Sequence, residues 1–235
     1  MKTTKAHMAW VALFSALVFA PQVLAQPIGI VALGDSNTAG VGVGRDHAFP
    51  AQLERLLRAA GHDVQVWNAG VSGNTFEAML ARLDRYVPDG MRVVILQGGY
   101  NDLLRRSNPA WIAGYIQAIV SRLRARQIDV VLCGFFYPDW DKVGIAVAEY
   151  YGAIFVEGSS CYDHGHRSFD GLHMNAYGHQ VVATRLFPVV QRLLSVSEET
   201  VKSHQEVPTQ SEHVTAGHDR SKRIERQVQG PPKRQ

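Results

Sequence analysis

Gly34-Asp35-Ser36-Asn37 sets a serine two residues past a glycine, directly after the apolar run at 28–33. A serine hydroxyl is a poor nucleophile until a neighbouring base takes its proton. A sharp corner from strand to helix would present that hydroxyl above the sheet edge. It would also aim backbone N–H groups at the place where an oxyanion forms. Gly34 is read as the residue that permits the tight turn. The natural base near neutral pH is a histidine. Phe169-Asp170-Gly171-Leu172-His173-Met174-Asn175 supplies one, with a carboxylate three residues ahead across a glycine-containing turn. Asp170 can hold one ring nitrogen of His173 and leave the other to face Ser36. His179, in Tyr177-Gly178-His179, is expected on an exposed helix surface.

Two other loops carry donors that an oxyanion would need. In Asn68-Ala69-Gly70-Val71-Ser72-Gly73-Asn74-Thr75, the Gly73 N–H can approach a carbonyl because no side chain blocks it. In Gly98-Gly99-Tyr100-Asn101-Asp102, Asn101 can offer its side-chain amide. With the Ser36 N–H these make three converging donors, and losing one such donor typically costs about 10²–10³ in rate. Two patterns nearby do not carry chemistry. Gly70-Val71-Ser72-Gly73 begins like a nucleophile elbow, but Asn74 stands where its last glycine belongs. Gly40, Gly42 and Gly44 imitate a dinucleotide loop, but Arg45 breaks the spacing and no acidic partner follows. A competing reading takes Asp163, His164, His166, Asp170 and His173 as ligands of a divalent metal. No acidic residue at another strand end completes such a set. His164 and His166 are read instead as loop residues near the mouth of a cleft, and no cofactor is expected.

The elements that must position these residues follow from periodicity. Short, β-branched apolar runs predict strands at 28–33, 64–67, 91–97, 128–133 and 153–156. Apolar residues at helical spacing predict helices at 49–60, 75–86, 111–126, 143–151 and 175–194, the last kinked or interrupted at Pro188. Alternating strands and helices imply a parallel sheet covered on both faces, an α/β fold. In such sheets ligands bind beyond the C-terminal ends of the strands. Each of the chemical motifs above follows a strand.

The chain has 235 residues, a 46% hydrophobic fraction and a formal charge of +3, so one domain with a sizeable core is expected. That charge is too small to argue for a nucleic-acid partner. Residues 1–25 read as a secretory signal peptide: Lys2 and Lys5, an apolar stretch at 8–20, and small Ala25 at the exit. The stretch is short for a membrane span, which needs about 20 residues. The expected organisation is therefore signal peptide 1–25, catalytic domain 26–194 and a disordered tail 195–235. The tail has too few large apolar residues to offset its ordering entropy. The protein is expected to be exported, periplasmic or secreted, without stable membrane insertion after signal cleavage. Cys133 and Cys161 can be a disulfide or two buried thiols.

Taken together, Ser36, Gly73, Asn101 and His173 resemble the SGNH/GDSL hydrolase superfamily, whose name lists those residue types. Asp170 matches the acid of its D-x-x-H block. The branch most resembled is that of bacterial thioesterase I, lysophospholipases and arylesterases, over residues 27–194. Asn37 departs from the leucine of the name motif, at a position that bears on substrate preference more than on mechanism. The resemblance implies a three-layer α/β/α sandwich with a five-stranded parallel sheet of flavodoxin-like type. It implies a serine esterase that hydrolyses small-molecule carboxylic esters or thioesters, including aryl esters, short-to-medium acyl esters and lysophospholipids, through an acyl-enzyme. The alternatives are a carbohydrate (acetyl) esterase on the same fold and a non-catalytic glycan- or lipid-binding protein.

Overall fold

A computed structural model of the chain describes residues 26–134 and 138–205. Its elements run β1 (Ile28–Gly34), α1 (Ser36–Ala39), a 3₁₀ turn (Arg45–His47), α2 (Phe49–Ala59), β2 (Val64–Gly70), α3 (Phe76–Ala81), α4 (Leu83–Tyr86) and β3 (Met91–Leu96). They continue with α5 (Tyr100–Leu104), α6 (Pro109–Ala125), β4 (Asp129–Cys133), α7 (Pro138–Tyr151), β5 (Ile154–Val156), α8 (Gly158–Cys161) and α9 (Ala176–Gln205).

The five strands pair in parallel in the order β2-β1-β3-β4-β5, which is the expected fold class. Alternate residues of each strand serve opposite faces. Ile30, Ala32, Val93 and Ile95 meet Phe49, Leu53 and Leu57 of α2 and Val182, Leu186 and Val190 of α9. Val31, Leu33, Val94 and Leu96 meet Phe76, Met79 and Leu83 below α3 and α4, and Ile116 and Val120 of α6. Burying a large aliphatic side chain stabilises by roughly 1.5–3 kcal/mol, so both helical layers are held mainly by these faces. The chain leaves β1 for β2 on one side, then returns past β1 to β3 on the other. The crevice at that reversal lies beyond the C-terminal ends of β1 and β3, where the register sets Gly34 beside Gly70 and Leu33 beside Leu96.

The helix expected at 75–86 is two helices, α3 and α4, separated at Arg82, which sits at φ −111° and ψ 6°. Its side chain is drawn away into the β1 and β2 turns, as described below. Pro188 lies inside α9 without ending it. An interior proline costs about 3 kcal/mol or more, but Val182 and Leu186 before it and Val190 and Leu194 after it all stay buried in the core. The short helices α5 and α8 are missing from the sequence reading, because four or five residues show no period, while α1 is the helix expected at the corner after β1. Helix α9 continues to Gln205, eleven residues past the boundary expected at Leu194. The signal peptide expected at 1–25 and the tail from 206 onward lie outside the described residues. No helix among the described residues is long and apolar enough to cross a membrane.

Candidate active site

Ser36 is the first residue of α1, immediately after the β1 strand and the Asp35 cap. At that position the backbone N–H has no partner within the helix. Asp35 accepts the Asn37 N–H at 2.9 Å through its side chain. The Asp35 carboxyl is buried, which pushes its pKa up to about 6 even though Asn37 and Gln97 hydrogen-bond to it. Gly34 is needed here for proximity. A Cβ at 34 would lie 2.0 Å from Thr38 Oγ1 and 2.9 Å from the Gln97 carbonyl oxygen, and its φ is not left-handed. The tight turn expected of Gly34 is thus a close approach of helix to strand. Thr38 in turn donates to Gln97 Oε1 at 2.7 Å, tying α1 to the end of β3.

The two donor loops are bound to each other and to this turn. Asn101 Nδ2 donates to the Asn74 carbonyl at 3.0 Å, and Arg105 donates to the Gly73 carbonyl at 3.2 Å. One amide hydrogen of Asn101 is therefore engaged and the other is left for a ligand. Gly73 adopts φ +77°, with nothing within 4 Å of where a Cβ would stand. Glycine there supplies the left-handed backbone and leaves the approach open. Arg82 spans both turns, donating to Asn74 Oδ1 at 2.6 Å and to the Gly34 carbonyl at 3.0 Å. Asp102, buried below α5, accepts the Phe76 N–H at 3.3 Å, and burial raises its pKa to about 6. Neither Arg82 nor Asp102 is singled out by the sequence, where each resembles an ordinary charged helix residue.

Asp170 and His173 form a pair. His173 Nδ1 lies 2.6 Å from Asp170 Oδ2, while Asp170 Oδ1 accepts the N–H groups of Leu172 and His173, each at 2.9 Å. These bonds hold the Asp170 carboxyl down at about 2. A hairpin sets the geometry: Arg167 bridges Met174, and the Ser168 N–H donates to the His173 carbonyl at 2.7 Å. Gly171 turns the corner at φ +68°, and the Tyr162 hydroxyl donates to the Leu172 carbonyl. With Nδ1 directed at Asp170, the Nε2 face of His173 is the one available for proton transfer.

A cavity of about 380 Å³ lies between the two halves. Asn37, next to Ser36, and Asp170 both line it. The loop after α1 also reaches the hairpin, since a Cβ on Gly42 would stand 3.0 Å from Ser168 Oγ. Among the described residues Ser36 Oγ forms no hydrogen bond with His173. The residues of the metal reading are engaged with one another. His166 Nδ1 lies 2.7 Å from Asp163, which also pairs with Arg185, and His164 Nδ1 lies 3.0 Å from Arg167. Of the two histidines expected near the mouth of a cleft, His164 lines the cavity and His166 does not.

His179 is a correction. It is buried, not exposed, and its Nδ1 accepts the Phe49 N–H at 3.2 Å. Helix α2 has no side-chain cap of its own, so His179 satisfies one of its orphan donors from 130 positions away. Gly178 lets the start of α9 lie close against the preceding loop, because a Cβ there would fall 2.5 Å from the His166 carbonyl oxygen. Burial, aided by the charge of His173, pushes the His179 pKa down to about 4.

The parallel α/β sheet thus carries a serine-bearing turn and a His–Asp hairpin, and Asn37 of the one and Asp170 of the other line a single cavity. Residues 32–181 match the GDSL-like lipase/acylhydrolase family, and the chain belongs to it. The esterase TesA of Pseudomonas aeruginosa is 27% identical over 179 residues, covering 70% of this chain and 89% of that protein. An arylesterase of Vibrio mimicus is 32% identical over 113 residues, covering 46% of this chain and 55% of that one. The structure of AlinE4, an SGNH-hydrolase family esterase, is similar with a TM-score of 0.57 and 29% identity, covering 79% of this chain and 99% of that one.

Proposed function

We propose that the protein hydrolyses small carboxylic esters or thioesters by two-step acyl transfer. Ser36 is the nucleophile, His173 the general base and Asp170 the residue that orients the imidazole. Ser36 attacks the carbonyl carbon while His173 Nε2 takes its proton, and the tetrahedral oxyanion is stabilised by the Ser36 N–H, the Gly73 N–H and the free amide hydrogen of Asn101. The imidazolium then gives its proton to the departing alcohol or thiol. Water, deprotonated by the same imidazole, releases the acid and restores Ser36. The observation that carries this reading is the hydrogen-bonded Asp170–His173 pair, with Asp170 lining the same cavity as Asn37, the neighbour of Ser36. Hydrogen bonds from base to nucleophile are often long before substrate binds and tighten in the complex.

Substrates are aryl esters and short-to-medium acyl esters, in keeping with the names of the relatives and with a cavity of a few hundred cubic ångströms. Export supports the same reading, because the Cys133–Cys161 disulfide belongs to an oxidising compartment. The test is a p-nitrophenyl ester panel of increasing acyl length on the purified chain, with Ser36→Ala as control. Ser36→Ala is expected to remove on the order of 10⁶ of kcat with an unchanged unfolding midpoint. An active Ser36→Ala protein overturns the nucleophile assignment. Activity on acetyl esters alone favours the carbohydrate esterase alternative.

A further inference from the structure

Exposed large apolar side chains are informative when they gather around a functional opening. Tyr100 and Leu104 are 43% and 62% exposed, and a spacing of four puts them on one face of α5. Tyr100 also lines the cavity. Leu172 lines it too, and three positions earlier in the same hairpin Phe169 is 98% exposed, one position before Asp170. Trp111, 67% exposed, lies in the first turn of α6. Strand β3 brings the chain to the cavity end of the sheet and α6 must run back to begin β4, so that first turn is also at the cavity end.

The same rim carries three arginines that are not held in direct ion pairs. Arg105 and Arg106 follow Leu104, and Arg167 lines the cavity. Among the described residues none of the three forms an ion pair. Arg105 and Arg167 donate only to uncharged groups: the Gly73 carbonyl, the Gly171 carbonyl and the His164 ring. The nearby carboxylates are committed, Asp170 to His173 and Asp102 to the Phe76 N–H.

We propose that this rim, formed by residues 100–111 and 167–172, docks on an anionic lipid bilayer. Phe169, Trp111 and Leu104 enter the headgroup region, where amphipathic aromatic and aliphatic anchors are favoured. Arg105, Arg106 and Arg167 meet lipid phosphates, each worth about fivefold in partitioning. The cavity mouth then opens onto the lipid surface. The charge complementarity selects this occupant over a second copy of the chain, whose matching rim would bring arginine against arginine.

The test is co-sedimentation of the full chain with phosphatidylglycerol/phosphatidylcholine vesicles and with pure phosphatidylcholine vesicles. Every variant keeps the same N-terminal and C-terminal segments, so differences between variants report the rim. Phe169→Ser and Trp111→Ser should each weaken binding about tenfold, the loss expected for one large apolar anchor. Arg106→Gln should weaken it about fivefold, for anionic vesicles only. All three should keep the wild-type unfolding midpoint and the wild-type rate on soluble p-nitrophenyl acetate. Ser36→Ala should bind vesicles as wild type does, which separates docking from the assignment of the nucleophile. Wild-type vesicle binding by both Phe169→Ser and Trp111→Ser overturns the proposal. So does a concentration-dependent dimer abolished by Trp111→Ser, because the rim is then occupied by a second copy.

Discussion

Asp170 uses both carboxylate oxygens, one on the His173 ring and one on two backbone N–H groups, so it sets both the tautomer of the His173 imidazole and the shape of the hairpin. Asparagine at 170 can accept the backbone bonds but favours the wrong tautomer through its amide nitrogen. Asp170→Asn should therefore lower kcat by about 10⁴ with little change in KM, measured by initial rates on a p-nitrophenyl ester. The same variant has a signature in stability. A carboxyl held at about 2 in the folded chain, against 3.8 for the ordinary group, stabilises fully above 3.8 and loses that contribution as pH falls toward 2. The melting temperature of Asp170→Asn should lack that part of the acid slope. The Asp170–His173 contact is legible in sequence because it is local, two residue types three positions apart across a glycine turn. Arg82 is not legible, because its role is a pair of contacts to Asn74 and Gly34 that only folding creates.

At the scale of elements, His179 ties α9 to the start of α2, alongside the apolar faces that pack the two helices into one layer. Its pKa lies near 4 in the folded chain, against 6.5 for the ordinary group, so the unfolded state takes up a proton between pH 6.5 and 4 that the folded state refuses. Stability from this group therefore falls with pH across that window. His179→Asn keeps an acceptor for the Phe49 N–H and does not titrate. The difference between its melting curve and that of wild type should grow in the mutant's favour as pH drops from 6.5 to 4. Asp35 and Asp102, both raised to about 6, act in the opposite sense in an overlapping window, which is why the difference curve is the quantity to measure. Helix α6 offers a second test. Gln127 follows its end at φ +58°, where the Ile128 N–H bonds back to Leu123. A left-handed residue that is not glycine is strained there, so Gln127→Gly should stabilise by about 0.5–1 kcal/mol in denaturant titration.

At the scale of the whole molecule, the Cys133–Cys161 disulfide joins the end of β4 to α8 across 28 positions, and Cys161 lines the cavity. From the length of the loop it closes, removing it should cost about 3–4 kcal/mol by the chain-entropy account. Cys133→Ala/Cys161→Ala should show that loss in urea titration, and reduction of the wild type should reproduce it. Two cysteines in sequence left both a disulfide and free thiols open. The pairing became definite only when β4 and α8 set the two Cα atoms 5.9 Å apart.

By itself, the amino-acid order determined what depends on near neighbours. Strand and helix periods, glycine-marked turns and the three-residue spacing of Asp170 and His173 are local, and they suffice for a parallel α/β fold with its glycine-marked loops at the C-terminal ends of the strands. The tertiary structure decided what depends on distant partners: the close fit of Gly34 on Thr38, the break at Arg82, the burial of His179 and the cavity shared by Asn37 and Asp170. The physical reason is that burial and hydrogen-bond satisfaction are properties of space, and residues 130 positions apart share none until the sheet brings them together.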